Sequence, residues 1–153
     1  DPQLMQSMLI FKQPRIGAPV VWHQDASFLI TEPDSVVGLW WALEDATVDN
    51  GCLWVEPGGH RGPLRERYEW DGRRLSMRIL DTTPWPAGST ARPVEVEAGS
   101  LVLLHGRLPH ASSANTSDRS RLAFSLHLID GAASYSPRNW LQRDAALPLR
   151  GFS

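Results

Sequence analysis

The runs Ser100-Leu101-Val102-Leu103-Leu104 and Leu122-Ala123-Phe124-Ser125-Leu126-His127-Leu128-Ile129 decide the fold reading of this chain. Both have strand composition, and the small, polar stretch from Ser112 to Asp118 between them has that of a turn. They are expected to pair as a hairpin or to lie in two packed sheets. Segments of the same kind recur at Leu4 to Lys12, Ser35 to Leu43, Cys52 to Glu56, Met77 to Leu80 and Val94 to Glu97, with a further one from Leu101 to His105. Twelve glycines and twelve prolines leave few windows long enough for three helical turns. Many short strands with Gly/Pro punctuation predict a mainly β sandwich or jelly roll.

With 153 residues, the sequence is read as one domain, 1–153, able to bury one core. A net charge of −2 gives no basic field to attract nucleic acid. Cys52 is the single cysteine, so no internal disulfide can form, and a small buried hydrophobe is the expected role. No apolar run reaches the ~20 residues needed to span a bilayer, and no signal-peptide pattern opens the sequence. A cytoplasmic protein without a membrane span is expected.

Asp49-Asn50-Gly51 is a tight-turn signal between two strands. The segment 62–92 is rich in arginine and then in proline, and is read as an exposed, insertion-like loop, either solvated surface or a lid over a binding site. The tail, 132–153, is polar, and Trp140 and Leu141 are expected to pack it across the domain.

Three residues stand out chemically. His23 and Asp25 lie two apart in Trp22-His23-Gln24-Asp25-Ala26-Ser27-Phe28, and His110 follows 85 positions after Asp25. On a strand, residues i and i+2 share a side, so His23 and Asp25 can grip one ion from one face. Two histidines and one carboxylate form the ligand set that holds non-haem Fe(II) while leaving coordination positions open. His105 could compete with His110, but Leu108-Pro109 and the distance on to Arg121 favour His110. Returning along the last long strand brings Arg121 back toward His110, where a guanidinium can pair with the far carboxylate of a metal-chelating dicarboxylate. Arg119 shares that face by parity and is expected in the turn, paired with Asp118 or Asp45. His127 is expected as a hydrogen-bonded interior histidine, His60 as a turn-stabilising residue, and His105 as a structural or ligand-orienting one.

The sequence resembles the phytanoyl-CoA dioxygenase family. The likeness rests on Gln6-Ser7-Met8, Phe11-Lys12-Gln13-Pro14, His23-Gln24-Asp25-Ala26-Ser27-Phe28-Leu29 and Thr31-Glu32-Pro33. It continues through Glu44-Asp45-Ala46-Thr47, Asn50-Gly51-Cys52-Leu53-Trp54, Pro57-Gly58-Gly59-His60, His105-Gly106 and Ser117-Asp118-Arg119-Ser120-Arg121, ending at Ser136-Pro137-Arg138-Asn139-Trp140-Leu141. It covers nearly everything except residues 62–92.

The resemblance implies a double-stranded β-helix, the cupin-like jelly roll. It also implies an Fe(II)- and 2-oxoglutarate-dependent dioxygenase that uses O₂ and releases succinate and CO₂. His23, Asp25 and His110 would be the iron ligands and Arg121 the clamp on 2-oxoglutarate, with Met8, Gln24, Trp40 and Ser112 lining the co-substrate pocket. The primary substrate would be a small organic or lipid-derived molecule. Related halogenases lack the carboxylate ligand, so the presence of Asp25 points to hydroxylation or a related oxidation. Members of the family carry a helical amino-terminal portion before the Gln6-Ser7-Met8 stretch, and a jelly roll without that portion is expected here. The alternative is a jelly-roll module, or a truncated inactive fragment, that binds a metal or dicarboxylate without turnover.

Overall fold

The computed structural model describes residues 1–152. In chain order the strands are β1 (Pro2–Lys12), β2 (Val20–His23), β3 (Thr31–Glu32), β4 (Val37–Ala42), β5 (Leu53–Val55) and β6 (Glu66–Trp70). They continue as β7 (Leu75–Ile79), β8 (Arg92–Val94), β9 (Leu101–His105), β10 (His110–Ser112), β11 (Arg121–Asp130) and β12 (Ser134–Tyr135). Two antiparallel four-stranded sheets carry the domain, in the orders β1-β11-β4-β9 and β2-β10-β5-β8. This is the double-stranded β-helix, and only short 3-10 turns interrupt it.

Strand alternation sets what faces the interior. Along β11 every second residue from Arg121 to Ile129 is buried, while Leu122, Phe124, Leu126 and Leu128 on the other face are only partly covered. On β4 the inward residues are Gly38, Trp40 and Ala42. Trp40 therefore belongs to the interior, and Trp41 lies outside with its ring 6.3 Å from that of Phe124. A cluster of Trp40, Ala42, Cys52, Leu53, Leu104 and Ala123 fills the space between the sheets. A second cluster of Met5, Leu29, Val36 and Ile129 closes one end. Full burial of a large aliphatic side chain contributes about 1.5–3 kcal/mol, so these clusters dominate the favourable side of folding.

Several sequence expectations are corrected. The two runs that decided the fold are neither a hairpin nor in opposite sheets: β9 and β11 belong to one sheet with β4 between them. The stretch expected as a turn from Ser112 starts later, because His110–Ser112 pairs with β2 on one side and β5 on the other. Its Ala-Ser composition carries no strand signal, and tertiary pairing supplies one. Val94 to Glu97 shifts back to Arg92–Val94, where Pro93 is tolerated because β8 is an edge strand. Segment 62–92 is not a bare loop but holds the hairpin β6–β7. Glu69, buried within it, pairs with Arg78 at 2.8 Å and Arg138 at 2.9 Å, and the ring of Tyr68 lies 5.8 Å from that of Phe28. Arg119 is exposed, and Asp118 pairs with Arg15 instead.

Buried amides hold the irregular segments. Asn139 accepts from the Ile30 N–H at 2.7 Å and donates to the Ile30 carbonyl at 2.9 Å, replacing a missing strand partner. Asn139→Ala strands the Ile30 N–H, while the carbonyl keeps the Ser136 N–H at 3.0 Å, and is expected to cost ~1–3 kcal/mol, read as a melting temperature lower by several degrees. Asn139→Asp keeps the acceptor and should lose less.

Lys12 is buried; its ammonium donates to the Ala18 carbonyl and, at 2.8 Å, to that of Ser113. Burial, and then the charge of Arg121, push it down to about 8 from 10.5. Between those values the unfolded chain holds more protons here than the folded one, so stability should rise with pH across that window. Melting temperatures across the window should climb in the wild type and climb less in Lys12→Met.

Candidate active site

β2 ends at His23, and the chain turns immediately afterwards. Gln24 is still extended (φ −125°, ψ 132°), while Asp25 opens the 3-10 turn Asp25–Ser27. The expectation of a single strand through both residues is therefore corrected. The one extended step at Gln24 is enough to put His23 and Asp25 on the cavity side and Gln24 on the other. Gln24 does not line the cavity. Its amide donates to the carbonyls of Pro63 (3.1 Å) and Arg107 (2.7 Å) and accepts from the Arg65 N–H (2.9 Å), so it anchors the start of segment 62–92. The Asp25 turn is held by the Ala26 N–H donating to the Gly106 carbonyl at 2.8 Å. Gly106 in turn donates to the Val36 carbonyl at 2.8 Å, and a Cβ there would fall 2.7 Å from that oxygen.

His110 enters from β10, directly opposite His23 in the strand register. The two rings lie 4.2 Å apart between centroids, at 54°. Each imidazole donates Nδ1–H to a carbonyl two residues back: His23 to Val21 at 2.8 Å and His110 to Leu108 at 2.9 Å. A carbonyl can only accept, so both rings are fixed with the Nε2 lone pair free. Both Nε2 atoms approach the same oxygen of Asp25, Oδ1, at 3.7 and 3.6 Å. One ligand atom from each of the three residues lies within 4.8 Å of the others. Two free imidazole nitrogens and a carboxylate oxygen at this spacing fit a divalent transition-metal ion.

Electrostatics favour the same assignment. Burial alone would raise the Asp25 carboxyl, but His110, His127 and His23 around it outweigh that and hold it at about 2. Burial, then His110, lowers the His23 imidazole below its usual value. Both donors are thus poised to be unprotonated at neutral pH.

The third surrounding imidazole, His127 of β11, lies 3.3 Å from Asp25 Oδ2. It was legible as an interior histidine from its parity with Arg121, but nothing in the sequence marked its contact with Asp25.

A cavity of about 260 Å³ opens from these residues between the sheets. Met8, Trp40 and Ser112 line it, as do Ile10, Leu104 and Ser125, whose inward parity was readable but whose role was not singled out. Arg121 also reaches it; its side chain is about 1% exposed, and its guanidinium lies 5.5 Å from the Trp40 ring centroid. Its Nε and Nη1 are buried with no hydrogen-bond partner among the described residues. Burial pulls the guanidinium down to about 10, still charged at neutral pH. His60 and His105 face each other at 5.2 Å, and neither lines the cavity. A wider, more open cavity of about 530 Å³ adjoins the first at His23 and Asp25, with Val21, Phe28, Leu29 and Trp140 on its walls. Trp140, expected to pack the tail, thus stands at this mouth, while Leu141 packs inward on the second cluster.

No helix among the described residues is long and apolar enough to cross a membrane. Residues 2–123 match the family described as phytanoyl-CoA dioxygenase (PhyH). Phytanoyl-CoA dioxygenase domain-containing protein 1 of Bos taurus is 48% identical over 152 residues, which make up 97% of this chain and 52% of that protein. Among solved structures, EvdO2 of Micromonospora carbonacea var. aurantiaca, in complex with 2-oxoglutarate, superposes with a TM-score of 0.67 at 30% identity, covering 93% of this chain and 58% of that one. The non-heme monooxygenase ThoJ gives a TM-score of 0.70 at 26% identity, covering 88% and 49%. The chain spans about half the length of the curated relatives it matches. On the matched pattern, the chain belongs to the phytanoyl-CoA dioxygenase family.

Proposed function

We propose that this domain is the jelly-roll core of an Fe(II)- and 2-oxoglutarate-dependent dioxygenase that hydroxylates a small organic or lipid-derived substrate. The observation that carries this reading is the buried guanidinium of Arg121. A desolvated cation with two unpartnered nitrogens is costly unless an anion arrives to meet it. It faces the same cavity as His23, Asp25 and His110, so a small dicarboxylate can engage the guanidinium at one end and an ion at the other. EvdO2, solved with 2-oxoglutarate, supports the identity of that dicarboxylate.

His23, Asp25 and His110 would hold the iron through two Nε2 atoms and a carboxylate oxygen. An Fe(II) bound there, with 2-oxoglutarate and O₂, supplies the oxidising power for C–H hydroxylation and leaves succinate and CO₂ as co-products. The chain itself binds and orients. Arg121 fixes the far carboxylate by charge-assisted hydrogen bonds, and Trp40 gives the guanidinium an aromatic neighbour. Met8, Ile10 and Leu104 keep the intervening space dry, which strengthens those contacts. At the wider mouth, Val21, Phe28, Leu29 and Trp140 offer an apolar wall without a lysine or arginine. That wall suits an uncharged, carbon-rich portion of the substrate next to the ion.

Anaerobic titration with Fe(II) and 2-oxoglutarate should produce the weak visible charge-transfer absorption of the chelate in the wild type and none in His110→Ala. A well-folded wild type without that band would overturn the assignment. In Arg121→Leu the band should still form, but at a 2-oxoglutarate concentration ~10–150-fold higher, equivalent to losing ~1.5–3 kcal/mol of charge-assisted hydrogen bonding. Aerobic incubation should release succinate from 2-oxoglutarate in the wild type alone, which separates an oxygenase from a module that merely binds.

A further inference from the structure

The two oxygens of Asp25 have different surroundings. Oδ1 meets the Nε2 atoms of His23 and His110 at 3.7 and 3.6 Å. Oδ2 lies 3.3 Å from the Nε2 of His127 and is buried without a hydrogen-bond partner among the described residues. Asp25 and His127 are both buried, about 6% and 5% exposed.

His127 also differs from the other two imidazoles in how its ring is fixed. Its Nδ1 lies 3.1 Å from Nε2 of Gln6, an amide nitrogen that can only donate. Nδ1 is therefore the acceptor, and the ring proton sits on Nε2, the nitrogen nearest Oδ2. In His23 and His110 the proton is on Nδ1 and Nε2 is free. The same ring type is thus set in opposite tautomers by its neighbours.

Backbone features make this arrangement possible. A register shift between Leu4 and Gln6 lets β1 send Met5 into the second core cluster and still place Gln6 beside His127. On the other side His127 pairs with Gly38 of β4. A Cβ at Gly38 would lie 3.0 Å from Asp25 Oδ2, 3.3 Å from the Leu104 Cβ and 3.7 Å from the His127 ring. The absent side chain is the space in which carboxylate and imidazole meet.

We infer that His127 is a positioning residue for the metal site: its Nε2–H holds Oδ2 aside so that Asp25 presents Oδ1 alone to the ion, with Gln6 fixing the tautomer and Gly38 providing the room. This rests on the metal reading above. The consequence is a carboxylate that occupies one coordination position rather than two, which keeps positions free for co-substrate and O₂. The other imidazoles cannot do this, because their free lone pairs face Oδ1.

Co(II) tests the inference directly, since its visible d–d absorption reports coordination number without turnover. Wild-type protein should bind Co(II) with a stable d–d spectrum that His110→Ala abolishes. His127→Leu removes the donor; it should change the position and intensity of the bands and weaken Co(II) binding ~10–100-fold. His127→Gln, whose amide can donate to Oδ2, should return the spectrum most of the way. Gln6→Leu leaves the ring in place but frees its tautomer, and should move the bands in the same direction by less, which serves if His127→Leu does not fold. Wild-type bands and affinity in folded His127→Leu, or in Gln6→Leu where that variant alone folds, overturn the positioning role while leaving the metal reading intact. A wild type that takes up no Co(II) in a His110-dependent way overturns the metal reading, and this inference with it.

Discussion

A carboxylate withdrawn from water must be surrounded by donors or cations, or it takes up a proton. Around Asp25 stand imidazoles drawn from three places: His127 on β11, whose Nε2–H is beside Oδ2, and His23 at the end of β2 and His110 on β10, whose Nε2 lone pairs face Oδ1 and leave room there for a cation. Those strands belong to both sheets, so the pairing of this one side chain depends on how the sheets face each other. The fold supports it from behind. The Ala26 N–H reaches the Gly106 carbonyl, Gly106 reaches Val36, and Gly38 leaves room against the sheet. An ion between His23, Asp25 and His110 replaces the mutual constraint of these groups with direct bonds, and the proton pattern of the two outer rings is already set for it.

Arg121 is the complementary problem. It is a cation rather than an anion, it is almost fully buried, and the described chain satisfies neither its Nε nor its Nη1. The Trp40 ring lies beside it, and apolar side chains such as Met8, Ile10 and Leu104 line the same cavity. In the proposed function, a dicarboxylate from outside would supply the missing partner. Arg65, buried in segment 62–92, also leaves Nε and Nη1 without partners, but unlike Arg121 it has a carboxylate, pairing with Glu56 at 2.8 Å and lying over Trp85 at 4.8 Å. The proposed function gives the cavity a metal-binding end and an anion-binding end, with aliphatic and aromatic residues between.

Segment 62–92 shows how peripheral structure is tied to this core. Gln24, whose neighbours His23 and Asp25 face the cavity, turns the other way and binds the backbone at Pro63, Arg65 and Arg107. The hairpin β6–β7 leans through Tyr68 on Phe28, one residue past the Asp25–Ser27 turn. The hairpin thus contacts the wall of the wider mouth at Phe28.

Much of this was legible in the sequence. Strand composition and Gly/Pro punctuation gave a mainly β jelly roll, because alternation and turn chemistry are local properties. The pairing of His23 and Asp25 on one side, and the inward parity of Arg121 and His127, also follow from local backbone geometry. Other features were out of reach. That β4 separates β9 from β11, that His110–Ser112 is a strand, and that Gln24 faces away from the cavity all depend on which segments meet across the domain. The buried Asp25–His127–Gln6 chain belongs to that second group. No local signal marks residues 102 or 121 positions apart as neighbours. Their meeting is decided by sheet register, by the bulge at Met5 and by the space left at Gly38, which only the folded chain determines.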